Sequence, residues 1–130
     1  MASRAKGSFE VQLKPQTPAE GSPIGRIALE KQFRGDLDGA SRGEMLTVAT
    51  TVKESGVYVA IERVTGTLGG RRGTFALHHT GIMTRGAPQL TITVVPDSGT
   101  EELGGLTGTM AIEITPDGKH FYDFEYQLPG

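Results

Sequence analysis

The stretch ERVTGTLGGRRGTFALHHTG, residues 62–81, reads as two strands folded back on a glycine turn. Apolar and polar residues alternate on both sides of the glycines, which is the period of a strand with one buried face. A tight turn centred on Gly70-Arg71 makes Val64 the partner of Leu77, Glu62 of His79, Ala60 of Gly81 and Tyr58 of Met83. Neighbours on a strand point to opposite faces, so the adjacent His78 and His79 cannot share a task. The face carrying Tyr58, Val64, Phe75 and Leu77 has the bulk for a core and is read as the inner one. Val57, Val59 and Ile61 then cover an outer surface, which points to a subunit contact and a homo-oligomer.

The same period runs along the rest of the chain. Alternation marks strands at about 7–14, 25–34, 44–53, 56–68, 73–84, 88–96, 106–115 and 119–128, separated by PQTPAEGSP, GDLDGASRG, KESG, GGRR, RGAP, DSGTEELGG and PDG. Residues 1–6 are read as a flexible tail, and residues 1–130 as one domain. The last hairpin tests its own register. A three-residue turn ending in Gly118 sets Ile114 against His120, Ile112 against Tyr122 and Met110 against Phe124, an apolar face throughout. A two-residue turn would set Ile112 against Asp123 and mix the faces. Eight short strands, each followed by its neighbour, predict an all-β, antiparallel meander. Closing it into a small eight-stranded β-barrel removes the exposed edges; a β-sandwich is the competing architecture.

Composition narrows the function. The net charge is −2 and the only adjacent basic pair is Arg71-Arg72 at a turn, which speaks against a nucleic-acid binder. There is no cysteine, so disulfides, zinc–thiolate sites and cysteine nucleophiles are excluded. No apolar run approaches the roughly 18 residues of a membrane helix, and the N-terminus lacks the apolar middle of a signal peptide, so a cytoplasmic protein without a membrane partner is expected. The histidine and carboxylate spacings hold no metal-ligand pattern, and the glycine-rich GTLGG and LGGLTGTM are followed by no helix that could cradle a phosphate. No cofactor or metal is expected.

The inner face holds the candidate chemistry. Glu62 and His79 become a cross-strand pair inside the barrel, and Lys31 shares the face of Ile27, Leu29 and Phe33. Buried charges need partners, and groups with shifted pKa values can move protons. Glu62 and His79 are the candidate catalytic residues; Lys31, Tyr58, Glu62, His79, Tyr122 and Tyr126 are the candidate ligand-binding residues.

The segments KQFRGDLDGASRGEML, GVYVAIERVTGTLGGRRGTFALHHTG, VVPDSGTEELGGLTGTM and HFYDFEYQLP, in this order, resemble the bacterial family known as domain of unknown function 3224, from about residue 7 to 128. The resemblance implies a barrel like that of allene oxide cyclase. It brings no catalytic motif, so Glu62, His79 and Lys31 rest on strand parity alone. Three readings follow: a barrel binding a small apolar ligand in its interior, an isomerase or cyclase using Glu62 and His79 as acid–base groups, and a filled barrel acting through its oligomer surfaces.

Overall fold

The computed structural model describes residues 2–17 and 20–129. Eight strands follow one another around a closed antiparallel barrel: β1 (Ser3–Gln16), β2 (Gly25–Gly35), β3 (Leu37–Ala49), β4 (Gly56–Leu68), β5 (Arg71–Thr84), β6 (Ala87–Val94), β7 (Thr107–Ile114) and β8 (His120–Gln127). β1 closes the ring by pairing with β8, Ser3 opposite Tyr126 and Phe9 opposite His120. The predicted meander and its closure are therefore observed.

The β4–β5 turn differs from its prediction by one residue. Leu68 pairs with Arg71, leaving Gly69 and Gly70 as a two-residue loop with φ of 56° and 86°. Both positions need left-handed backbone, which glycine adopts without a Cβ penalty. Moving the turn centre by one residue moves every partner by two. Glu62 thus faces Leu77, and His79 faces Ala60. A shift of two conserves parity, so the inner face survives: Ala60, Glu62, Val64, Phe75, Leu77 and His79 are all buried. The β7–β8 register matches its expectation at Ile114–His120, Ile112–Tyr122 and Met110–Phe124.

Two segments were misread from sequence. In GDLDGASRG only Gly35 and Asp36 turn the chain; from Leu37, which is fully buried, to Gly43 it is the first half of β3. Asp and Gly read as punctuation here, yet Gly39 and Gly43 lie on the inner face, opposite Gly66 and Glu62. The tail expected over 1–6 is ordered strand from Ser3 on, because β8 supplies it with a ladder; Met1 lies outside the described residues.

The two ends of the barrel are unlike. At the end holding the β2–β3 and β4–β5 turns, the connection from β6 to β7 folds a short 3-10 turn (Glu101–Leu103) back against β5. Its Leu103 and the following Leu106 are buried in one cluster with Phe33, Leu37, Leu68, Phe75 and Phe124. At the other end the inward positions Leu13 and Leu90 are exposed and Tyr58 is half-buried. One end is plugged and the other is open. No helix among the described residues is long and apolar enough to cross a membrane.

Candidate functional site

Strand parity delivers Lys31 from β2, Ser41 from β3, Glu62 from β4 and His79 from β5 to one point inside the barrel. Among the described residues they are the four buried polar side chains of the core, at 8%, 3%, 0% and 4% exposure. Their arrangement centres on the Glu62 carboxylate. Oε2 accepts a hydrogen bond from Lys31 Nζ at 2.9 Å and lies 2.5 Å from His79 Nε2; Oε1 accepts from Ser41 Oγ at 2.8 Å. His79 sits diagonally to Glu62 across the ladder, a separation that two long side chains bridge. The Lys31 ammonium also lies over the rings of Phe9 and Phe33, 5.0 and 5.8 Å from their centroids.

The electrostatics follow from this packing. Burial by itself pushes the Glu62 carboxyl up. The hydrogen bond from His79 and the charge of Lys31 outweigh it and bring the pKa down to about 2. Glu62 is therefore ionised at neutral pH, and His79 Nε2–H is the donor of the 2.5 Å contact. A folded pKa below the unfolded one stabilises the fold fully above pH 4.5 and loses that stabilisation as pH falls from 4.5 to about 2. The contribution is about 3 kcal/mol. Urea titrations of the wild type across that window are expected to show this loss, and the Lys31→Met/Glu62→Leu double variant is expected to lack it. Parallel pH curves for the two proteins would refute the assignment.

Tyr58 lies on the open side of this cluster. Its ring covers Gly81 so closely that a Cβ there would collide with the Tyr58 Cε1. Burial first, and the Glu62 charge second, raise its pKa. Tyr58, Gly81, Thr47, Met83, Pro88 and Leu90 line a cavity of about 380 Å³ at the barrel rim, walled on its outer side by Val57, Ile82 and Gln89. Three larger hollows, of about 640, 720 and 650 Å³, lie on the outer faces of β7–β8–β1–β2, on those of β1–β4, and between β1 and the β7–β8 turn. Lys31 and Ser41 border the second, but their side chains turn away from it into the barrel.

Sequence reasoning brought Lys31, Glu62, His79 and Tyr58 to one region, and the structure places them there. It does not place Tyr122 or Tyr126 with them. The Tyr122 hydroxyl shares its one proton between the carbonyls of Arg34 and Leu37 and accepts from the Leu37 amide at 2.8 Å, tying down the β2–β3 corner. Tyr126 stacks on Phe124, and its hydroxyl reaches Gly69 at the plugged end. Ser41 was missed. The signal lay in its parity with Leu37, Gly39 and Gly43, which shows only once 37–43 is recognised as strand. His78 is exposed, as its parity requires, with Ile61 opposite it.

A family model described as a protein of unknown function, DUF3224, matches residues 5–126. A crystal structure of a DUF3224 protein of unknown function from Shewanella oneidensis MR-1 is similar over 100% of this chain and 99% of that one, with 46% sequence identity and a TM-score of 0.94. No curated protein matches.

Proposed function

The chain belongs to the DUF3224 family, and because that membership carries no activity, we propose from the geometry that the protein is a binding barrel for a small, mostly apolar ligand seated at its open rim. The observation that carries this reading is the rim cavity. At about 380 Å³ it falls in the size range of small-molecule sites, its walls are mostly apolar, and the Tyr58 hydroxyl, one of few polar groups there beside Thr47 and Gln89, can fix a ligand's orientation. The ligand thus sits above the buried cluster rather than against it. Glu62 has no exposed surface and its carboxylate is already bonded to Lys31, Ser41 and His79.

The same facts weigh against an isomerase driven by Glu62. A general base works best with a pKa near the operating pH, and this carboxylate is held at about 2. They favour a division of labour: the Lys31–Glu62–His79 cluster fixes the floor on which Tyr58 stands, and Tyr58 meets the ligand.

Straight-chain alcohols from hexanol to dodecanol, titrated by calorimetry, test the site. Affinity is expected to rise about fourfold per methylene until the cavity is full. Leu90→Arg, at an exposed position that leaves the fold intact, should abolish binding. Tyr58→Phe should weaken every alcohol several-fold while keeping the chain-length slope. Equal binding by Leu90→Arg, or none by the wild type, overturns the proposal.

A further inference from the structure

Resting on that reading, we propose that the rim site is completed by a second copy of this chain, packed through the outer faces of β3, β4 and β5. Leu46, Val48, Val57, Val59, Ile61 and Ile82 are all exposed there, Ile61 at 63%. The ladders make them one surface: Leu46 is opposite Val59, Val57 lies between Val48 and Ile82, and Ile61 lies between Glu44 and His78. Its interior carries no charged side chain, and its border carries Glu44 and Arg63, with the imidazole of His78. An aliphatic area of this extent on a sheet face marks an interaction surface.

The occupant follows from the symmetry of the pattern. A twofold axis along β4, in the plane of contact, sets Ile61 on Ile61 and Val59 on Val59 of the two copies. It sets Val48 against Ile82, aliphatic on aliphatic. It also sets the Glu44 carboxylate, whose Oε1 is already held by Arg26 of its own copy, opposite the His78 imidazole, twice, leaving Oε2 to accept. One patch thus complements itself, as a closed two-fold interface requires.

This interface bears on the ligand. Val57 and Ile82 belong both to the patch and to the outer wall of the rim cavity. A copy seated on the patch packs against the outside of that wall and holds in place the Val57 and Ile82 backbone that faces a bound ligand. Dimerisation and ligand binding then favour each other, and by linkage the gain is the same in both directions.

Sedimentation velocity from low to high micromolar protein, with and without 1-decanol, and decanol calorimetry provide the test. The wild type is expected to dimerise, and decanol to tighten the dimer. Val59→Glu is expected to be monomeric, with the melting temperature that the wild type shows at low protein concentration, and to bind decanol about tenfold more weakly, although Val59 does not line the cavity. Ile61→Lys, at the most exposed position of the patch, should reproduce both effects if Val59→Glu does not fold. A wild type that stays monomeric while binding decanol overturns this proposal and leaves the binding reading intact. So does a monomeric Val59→Glu with wild-type affinity. A wild-type dimer that binds no decanol overturns the binding reading, and the completed site with it.

Discussion

Glu62→Ala is expected to lower the stability of the barrel by about 3–5 kcal/mol, on the order of 10–20 °C in melting temperature. The cost does not come from the lost carboxylate alone. Lys31 would keep its ammonium beneath Phe9 and Phe33, and Glu62 is its salt-bridge partner among the described residues. His79 and Ser41 would lose the acceptor they share. A buried charge and two buried donors left unpaired are each costly. The Lys31→Met/Glu62→Leu double variant removes both charges and fills their volume with apolar atoms. Its stability is expected to return to within about 2 kcal/mol of the wild type. Urea unfolding of wild type, single and double variants closes a mutant cycle, and the coupling energy is the quantity to read. A loss below about 1 kcal/mol in Glu62→Ala would mean that water reaches the cluster, contrary to its burial. The double variant should still bind alcohols at the rim, since Tyr58 and the cavity wall are untouched.

Leu103→Glu should do comparable damage from a position that looks like loop. Leu103 is fully buried within the plug, against the core around Leu37, Leu68 and Phe75. A carboxylate there finds no built partner and must either stay neutral or expel the plug, at a cost above about 4 kcal/mol. The same change at Ile61, which is exposed on the outer face, should cost less than about 0.5 kcal/mol in the monomer. Thermal denaturation of the two variants at low protein concentration decides the matter. Similar melting temperatures for both would mean that the 3-10 turn does not seal the barrel.

The contrast between these residues shows what a period-2 pattern carries. Ile61 and Glu62 are neighbours, and the pattern alone placed the glutamate inside and the isoleucine outside, against their hydropathy. It did so because Phe75, Leu77 and Val64 share the glutamate's face. The register was wrong by two residues and cost nothing, since side-chain direction repeats every two. The same reasoning failed for β3, where GDLDGASRG was taken for a turn on composition. Gly39 and Gly43 pack against the β4 backbone, a use that composition does not distinguish from turn chemistry. Ser41 was lost with them. Tyr122 and Tyr126 were given the right face but the wrong level, because parity says which side of a sheet a residue faces and not how far along the barrel it lies.

By itself, then, the sequence determined the eight strands in their meander order, the inner face of β4 and β5, and the presence of a lysine, a glutamate and a histidine among the barrel's core positions. These are local properties, set by alternation and by short turns. Only the tertiary structure decided that Glu62 takes all its hydrogen bonds from within, that Leu103 plugs one end, and that Tyr58 stands at the rim of the other. Those facts depend on how the tilted strands stagger around a closed ring and on where the long β6–β7 connection comes to rest, and both join residues far apart in the chain.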